Sequence, residues 1–302
     1  MLPPYLTRPE YVLQPRQLWR RFGRPKADTV GIQKITPPWG FPLWVEPRPD
    51  HTVEWSLWVM GLYDLALSET LWRLTEPGET VLDVGANIGY VTSLLAARVG
   101  ARGRVIAIEP NPEVYGELER HRSAWRELGS GATVELHAIA LANQAGTATL
   151  RIPKRNRCEA AIFTTTNDNP ADTLRIETVP LTTGDALLPD DPAIGVLKID
   201  IEGYELAAFQ GCDRLLRHRC IRDIVYEQHE GYPSPATQYL IDRGYTIFRI
   251  WKGFWKPLLY PPDFSDVHPW EPPNYLATLD PDRARQKLRS RGWQILQTRS
   301  PR

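Results

Sequence analysis

This chain of 302 residues is poor in cysteine and has no long apolar run. Its three cysteines, Cys158, Cys212 and Cys220, form no Cys-x-x-Cys pair, so reduced thiols are a simpler expectation than disulfides or a zinc motif. The amino terminus lacks the cationic and apolar segments of a signal peptide, and no stretch reaches the length of a membrane span. We therefore expect a cytoplasmic protein with no membrane span.

The chain also lacks an excess of charge of either sign. Its 36 lysines and arginines balance 36 aspartates and glutamates, so no global field attracts nucleic acid or a membrane. Basic residues collect only near the two ends of the chain. At the carboxyl end, a solvated tail is the simplest interpretation.

Proline and tryptophan are plentiful, with 28 and 11 residues, and they concentrate outside the central part of the chain. We therefore divide the sequence into an irregular Pro/Trp-rich extension at 1–55, a domain at 56–280 and a basic tail at 281–302. The extension is expected to pack on the domain surface or to be partly disordered. A polar loop at 153–173 is long enough to be functional or disordered.

The most informative stretch is Val81-Leu-Asp-Val-Gly-Ala-Asn-Ile-Gly-Tyr90. It predicts a buried strand that turns sharply into a helix. Gly85 and Gly89 let the backbone approach a ligand, because they carry no Cβ. A second strand-like run ends at Glu109, where a carboxylate can accept hydrogen bonds from both hydroxyls of a ribose. The first half of the fold is therefore predicted to hold a nucleoside; the alternative is a tight turn without a ligand.

The residues around the glycines favour one nucleoside over another. A dinucleotide fingerprint needs a glycine where this chain has Asn87, and Asp83 stands two residues before the first glycine. A carboxylate there would repel a pyrophosphate and attract an ammonium or sulfonium group. The pattern favours S-adenosylmethionine over NAD, and an NAD-linked oxidoreductase is the alternative enzyme.

Strands and helices alternate along the central part of the chain in the rhythm of an α/β, doubly wound, mostly parallel sheet. The runs 147–152 and 174–181 are expected to form an antiparallel addition to it. Beyond these and the first two strands, strands are predicted at 134–140, 194–201, 221–227, 245–250 and 275–279.

A second charged motif, Lys198-Ile-Asp-Ile-Glu-Gly-Tyr-Glu205, stands at the carboxyl end of a buried strand. In an open parallel sheet that end is where ligands bind. Alternation places Lys198, Asp200 and Glu202 on one face of the strand. The alternative is a helix amino terminus whose acidic residues complement the helix dipole.

Together, the glycine motif and Leu197-Lys-Ile-Asp-Ile-Glu-Gly-Tyr-Glu-Leu206 closely resemble the FkbM-type family of S-adenosylmethionine-dependent methyltransferases. The resemblance extends over residues 60–250 and includes Glu109-Pro110 and Tyr226-Glu227. It implies a seven-stranded Rossmann-like sheet with an antiparallel last strand. It also implies O-methylation of a hydroxyl group on a small-molecule natural product or a saccharide.

Carried over by position, the resemblance assigns seven residues to the cofactor. The chain departs from the family at Thr182-Thr-Gly-Asp185 and in the aromatic stretch 251–274, which concerns the acceptor more than the cofactor. The assigned residues are Asp83, Gly85, Asn87 and Gly89 in a loop on the methionine side, Glu109 at the ribose, and His137 and Ala138 near the adenine.

Three residues are candidates for removing the proton of the acceptor: Asp200, Glu202 and His229. Histidine is the side chain that titrates nearest neutral pH, although a histidine in a surface loop with no catalytic role is the alternative. A divalent metal on Asp200, Glu202 and Glu227 is conceivable, but no spacing singles out a metal site. A non-catalytic nucleoside-binding or scaffold protein that keeps the fold is a third interpretation.

The aromatic stretch 251–274 has two interpretations. Its rings could form a platform for a sugar or a flat acceptor, or they could cover the edge of the sheet. No Asn/Asp-Pro-Pro-aromatic tetrapeptide follows the fourth core strand, which argues against nucleic acid as the acceptor. The aromatic residues considered for this role are Trp251, Phe254, Trp255, Tyr260 and Phe264.

Overall fold

The computed structural model describes residues 8–13, 31–129, 131–153, 157, 160–162, 173–269 and 271–297. Most of the predicted loop 153–173 lies outside the described residues. So do much of the extension 1–55, Cys158 and the last five residues of the tail.

The described part of the chain contains fourteen strands in three sheets. Two of the sheets concern the candidate site, and the third is a small amino-terminal pair. The strands are β1 (Gln33–Ile35), β2 (Leu43–Val45), β3 (Thr80–Val84), β4 (Arg104–Ile108), β5 (Thr133–His137), β6 (Ala140–Leu141), β7 (Gly146–Pro153), β8 (Ala161–Ile162), β9 (Thr173–Thr182), β10 (Ile194–Ile199), β11 (Ile221–Glu227), β12 (Thr246–Lys252), β13 (Pro257–Tyr260) and β14 (Asn274–Thr278).

The main sheet has the order β13-β12-β14-β11-β10-β3-β4-β5 within the described residues. Strands β11, β10, β3, β4 and β5 pair in parallel, and β14 is antiparallel to both β11 and β12. The predicted mostly parallel sheet with an antiparallel last strand is confirmed. The expected count of seven strands is wrong, because the sheet has an eighth strand, β13, at its edge. Proline at the start of an edge strand is tolerated, so Pro257 in the aromatic stretch conceals this strand from sequence reasoning.

Residues 147–152 and 174–181 form strands as predicted, but they lie in a separate sheet of order β6-β9-β7-β8 among the described residues. Strands β7 and β9 pair antiparallel along their length. Their inward side chains form a small core of their own around Leu150, Ile152 and Val179. This second sheet therefore stands beside the main one instead of extending it.

The helices connect the strands and cover both faces of the main sheet, as a doubly wound fold requires. Each face has its own buried apolar cluster. In the described residues the α-helices are α1 (Pro9–Leu13), α2 (Thr52–Met60), α3 (Leu65–Leu74), α4 (Tyr90–Val99), α5 (Pro112–Glu127), α6 (Gly184–Leu187), α7 (Glu205–Gly211), α8 (Asp213–Arg217), α9 (Pro235–Ile241) and α10 (Pro281–Lys287). None of the described helices is long and apolar enough to cross a membrane.

Both ends of the chain contribute to the main core. Trp39 and Leu43 from the extension, and Trp293 and Ile295 from the tail, are buried in the same apolar cluster. The backbone N–H groups of Gln294 and Ile295 each donate to the buried carboxylate of Glu69, at 2.8 Å. The described part of the tail is therefore packed, not solvated, because its apolar side chains fill a gap in the core. The division into 1–55, 56–280 and 281–302 stays a prediction.

Candidate active site

The glycine loop after β3 is pressed against the neighbouring strands. Gly85 has a φ of 75°, and a Cβ at this position would stand 1.9 Å from the carbonyl oxygen of Asp200. The N–H groups of Gly85 and Ala86 donate to the carbonyl of Ile108 at 3.0 and 2.9 Å. Only glycine fits here, because both the positive φ and the close approach exclude a side chain.

Gly89 serves packing and not the cavity. Its φ is 91°, and an added Cβ would lie 2.5 Å from Cδ1 of Leu118 on α5. Asn87, two residues earlier, also has a positive φ, of 52°. Its Oδ1 accepts a hydrogen bond from the N–H of Ile88 at 2.7 Å. Packing at Gly89 and the hydrogen bond of Asn87 therefore define the backbone of the loop where it enters α4.

Glu109 lies at the tip of β4 with its carboxylate held by the backbone. Oε2 accepts from the N–H of Asn87 and Oε1 from the N–H of Asn111, both at 2.8 Å. Burial raises the pKa of Glu109 to about 7, and these two N–H donors oppose the shift. The remaining lone pairs of the oxygens are available to donors in the adjoining cavity, since each carboxylate oxygen accepts more than one hydrogen bond.

Asp83 and Lys198 form a buried pair beneath the loop. Strand register places the two residues side by side on β3 and β10. Lys198 Nζ lies 3.7 Å from Oδ1 of Asp83 and 3.5 Å from Oδ2 of Asp200, and it donates to the carbonyl of Gly85 at 3.0 Å. The other oxygen of Asp83 accepts from the hydroxyl of Thr92 at 2.6 Å. Lys198 therefore ties the two sequence motifs together.

Burial disfavours the charge of both Asp83 and Lys198, and the attraction between opposite charges opposes this effect. Burial raises the pKa of Asp83, although the attraction of Lys198 opposes the rise. Burial opposes the charge of Lys198 as well, but Asp200 and Asp83 outweigh it and raise the pKa of the lysine. Asp83 is fully buried and faces a cation of the protein. It does not line the cavity, contrary to the expectation that it lies against the ligand.

A group of acidic residues and one histidine lies at the ends of β10 and β11. Nε2 of His229 lies 2.5 Å from Oε1 of Glu227, and the His229 side chain is 65% exposed. Burial raises the pKa of Glu227 to about 8, with repulsion from Asp200 and Glu202 as the next causes. A carboxyl that shares its site with two others keeps its proton at higher pH than usual.

One cavity of about 260 Å³ joins these features. It brings together six of the predicted residues and leaves out Asp83, Gly89, His137 and Ala138. The carbonyl of His137 instead accepts from the N–H of Glu109 at 3.1 Å, and burial lowers the pKa of the His137 ring. The predicted residues that line the cavity are Gly85, Asn87, Glu109, Asp200, Glu202 and His229.

Sequence reasoning missed several residues at the cavity wall. Ala140 and Leu141 take the wall position expected for His137 and Ala138. Glu227 was considered only as a metal ligand, although an acid at the carboxyl end of a core strand is itself a site signal. Arg157 also lines the cavity, and no sequence signal marks a single arginine in a polar loop. Its guanidinium pairs with three carboxylates, those of Glu54, Glu113 and Glu117.

Two further expectations concern metal and the aromatic stretch. Across the described ranges, no group of three or more His, Cys, Asp or Glu side chains is arranged to hold a metal ion. Within 251–274, Trp251 packs edge-on against Phe264 at 5.1 Å, and Tyr260 stacks on Phe264 at 4.2 Å. These rings pack on one another beside the edge strand and do not line the cavity, which favours the interpretation as a cover.

A comparison with protein families identifies the family of this chain. The profile of the methyltransferase FkbM domain matches residues 83–247, more than half of the chain. The chain belongs to the FkbM methyltransferase family. The predicted family is thereby confirmed, and the fold is the Rossmann-like fold of these methyltransferases.

Individual relatives are more distant. A protein-L-isoaspartate O-methyltransferase of Aeropyrum pernix is 45% identical over 53 residues, which are 17% of this chain and 20% of the relative. An FkbM methyltransferase structure from Methylobacillus flagellatus is 18% identical with a TM-score of 0.43, covering 66% of this chain and 43% of that one. An S-adenosylmethionine-dependent O-methyltransferase from Thermotoga maritima is 13% identical with a TM-score of 0.37, covering 71% and 64%. This FkbM-family chain thus spans a fifth of the length of the Aeropyrum pernix protein and less than half of the length of the Methylobacillus flagellatus protein.

Proposed function

We propose that this protein is an S-adenosylmethionine-dependent methyltransferase that methylates a hydroxyl group of a small-molecule natural product or a saccharide. The observation that carries the proposal is the single cavity shared by Glu109, the Gly85 loop and the acidic group with His229. We further propose that it acts in the cytoplasm and does not use nucleic acid as its acceptor, since the chain has no net positive charge.

The residues around the cavity fit S-adenosylmethionine. Glu109 would accept hydrogen bonds from the ribose hydroxyls, and Gly85 lies in the wall of the same cavity. Asp200 and Glu202 outnumber Lys198, so this part of the site favours a ligand that carries a positive charge, as a sulfonium does. A pyrophosphate would meet the same carboxylates, while the nearby Arg157 is already paired with three acids.

When bound, S-adenosylmethionine supplies an electrophilic methyl group. The work of the protein is to place an acceptor oxygen in line with it, which can contribute about 7–11 kcal/mol. The protein must also take the proton of the hydroxyl, which speeds the reaction by about 10²–10⁴-fold. We propose Asp200 or His229 for this step, with Glu227 orienting the imidazole through their 2.5 Å contact. Glu202, at the same end of the cavity, is the third candidate.

Calorimetry tests the cofactor half of the proposal. S-adenosylhomocysteine should bind with saturation, and NAD should give no signal. Glu109→Gln should weaken binding by about 1–3 kcal/mol, the usual loss for a hydrogen bond to a charged group. The control is Glu127→Gln. Glu127 is an exposed acid that, like Glu109, follows β4 in the chain, and its replacement should leave the affinity for S-adenosylhomocysteine unchanged. Saturable NAD binding with no response to S-adenosylhomocysteine would reverse the ranking of the two cofactors.

A methylation screen tests the reaction itself. The protein is incubated with S-adenosylmethionine that carries a labelled methyl group and with panels of hydroxylated natural products, saccharides and amines. Label on a hydroxyl oxygen supports the proposal. Transfer to amines or carboxylates alone would keep the cofactor and contradict O-methylation.

A further inference from the structure

The turn between β12 and β13 presents two large aromatic side chains to solvent. Phe254 is 41% exposed and Trp255 is 54% exposed. Their rings touch, with centroids 4.8 Å apart at an angle of 84°. Single exposed apolar residues are common on protein surfaces, but contiguous ones mark sites of interaction.

The backbone that carries these side chains is firmly held. The carbonyl of Phe254 accepts from the indole N–H of the buried Trp293 at 2.9 Å, and the carbonyl of Trp255 accepts from the N–H of Gly292 at 2.9 Å. The fully buried Arg73 in turn donates to the carbonyl of Ser290 at 2.7 Å and to that of Gly292. The exposure of the two rings is therefore a fixed feature of the fold, and their side chains take no part in these bonds.

Lys256, which follows the aromatic pair in the turn, belongs to a groove that is lined by cations. Lys256, Arg285 and Arg289 line a groove of about 490 Å³ whose floor includes Leu258 and Leu288. Lys256 donates to the carbonyls of Leu288 and Arg289 at 3.1 and 2.8 Å, which ties the turn to the segment after α10.

These cations have few counter-charges. Among the described residues, no carboxylate lies within 4.0 Å of Lys256, Arg289 or Arg291, and Arg285 has one, Asp282, at 3.5 Å. Burial lowers the pKa of Lys256, and the nearby arginines lower it further, as expected where positive charge is in excess. We call Phe254, Trp255 and this groove with its cations, Arg291 included, the hairpin surface.

We propose that the hairpin surface docks onto membranes that contain anionic phospholipids. The cations would bind the lipid phosphates, and the apolar floor and the two aromatic rings would enter the interfacial region, where tryptophan is enriched. A balanced net charge does not prevent this, because salt screens charges that lie more than about 8–10 Å away.

The geometry favours a lipid surface over a nucleic acid. Stacking platforms for single strands place successive aromatic faces so that successive bases can lie on them. Here the two rings stand nearly perpendicular to each other on a turn. One ring blocks a continuous stack on the other, whereas both can enter a fluid interface.

Vesicle co-sedimentation of the full chain tests the proposal. The two probes are vesicles of phosphatidylcholine alone and vesicles of equal parts phosphatidylcholine and phosphatidylglycerol. The protein should sediment with the anionic vesicles only, and added salt should weaken the binding. Absence of binding to the anionic vesicles, or equal binding to both kinds, would overturn the proposal.

Three variants assign the binding to this surface. Phe254→Ser/Trp255→Ser should lose at least tenfold in vesicle affinity, and each of Arg289→Gln and Arg291→Gln about fivefold. The matched controls are Arg102→Gln, an exposed arginine elsewhere, and Leu128→Ser, whose side chain is 63% exposed.

The replaced side chains at 254, 255, 289 and 291 make no hydrogen bond or ion pair within the described structure, so the melting temperature and the binding of S-adenosylhomocysteine should stay unchanged. Controls that lose as much as the variants would contradict the proposal. So would equally tight binding to an RNA oligonucleotide that the aromatic variant does not weaken, since this would identify nucleic acid as the partner.

Discussion

The two halves of the cavity are built in different ways. In the half that we propose for the cofactor, called the cofactor half, Gly85, Asn87 and Glu109 are positioned by backbone hydrogen bonds and by a contact that leaves no room for a Cβ. On the acceptor half, charged side chains at the ends of β10 and β11 define the surface, and the His229 ring among them is largely exposed. The first half is therefore defined by the backbone of the fold, and the second by its side chains.

Lys198 joins the two halves, and its removal should have the largest effect. Lys198→Met leaves the buried Asp83 without its cation, and a buried charge without its partner costs about 3–5 kcal/mol. Chemical denaturation measures the loss in the free energy of unfolding. Lys287→Met breaks a partly exposed pair with Glu76 and should cost less than about 1 kcal/mol. Equal losses in the two variants would show that the buried pair does not couple the halves.

Two glycines, Gly85 after β3 and Gly203 after β10, separate backbone strain from close contact. Both Gly85 and Gly203 have positive φ, but a Cβ at Gly203 has no described atom within 4 Å. Gly85→Ala should therefore destabilise the protein by roughly 1–3 kcal/mol more than Gly203→Ala, because it adds a clash with Asp200 to the strain. Thermal unfolding measures the difference. S-adenosylhomocysteine affinity should fall in Gly85→Ala alone, and a matching fall in Gly203→Ala would contradict the division into halves.

Local patterns in the sequence were enough to identify Gly85, Asn87 and Glu109, which line the cavity. A strand, a glycine turn and an acid at the tip of the next strand are each encoded within a few residues, so the cavity-lining positions of Gly85 and Glu109 followed directly. His137 and Ala138 were placed at the adenine by position in the family, but β5 ends at His137 and the chain reaches the cavity only at Ala140. The position of Ala140 at the cavity depends on the pairing of β6 with β9, whose residues come about forty positions later in the chain.

Pairing between distant strands explains the other differences. Asp83 faces Lys198 because β3 and β10 pair in a particular register, and nothing near Asp83 in the sequence specifies this neighbour. The edge strand β13 likewise depends on the hairpin with β12, whose turn has one usual turn former, Gly253, followed by two aromatic residues and a lysine. Local chemistry predicts where a site residue is, but the tertiary fold determines what it faces.

Asp200 tests whether the acceptor half is catalytic. Asp200→Asn keeps the shape of the side chain and removes its charge, so turnover should fall at least about tenfold while S-adenosylhomocysteine affinity changes little. Steady-state kinetics with an acceptor found by the screen gives the first quantity, and calorimetry gives the second. Asp242→Asn, an acid at the end of α9 away from the cavity, is the control. A loss of cofactor affinity in Asp200→Asn would move Asp200 to the cofactor half, and unchanged turnover in a stable variant would leave the proton to His229.

The pH dependence of cofactor binding should be the smallest effect. It distinguishes Glu109 from Glu227, the two carboxyls at the cavity whose pKa values are raised. Burial raises the pKa of Glu109 to about 7, so in the free protein this carboxyl is largely protonated at pH 6 and ionised at pH 8. Ribose hydroxyls donate to the ionised form, and binding below pH 7 must therefore first remove a proton. Affinity for S-adenosylhomocysteine should accordingly be about tenfold lower at pH 6 than at pH 8.

Two variants show which half of the cavity causes this pH dependence of the affinity. Glu109→Gln should bind weakly at both pH values and show no such dependence. Glu227→Gln removes the acceptor-half carboxyl whose pKa is raised to about 8, and it should keep the full dependence if the cofactor contacts Glu109 alone. A flat profile in the unmodified protein would remove Glu109 from the ribose. A profile abolished by Glu227→Gln would show that the acidic group binds the cofactor, because the proton lost on binding would then belong to the acceptor half.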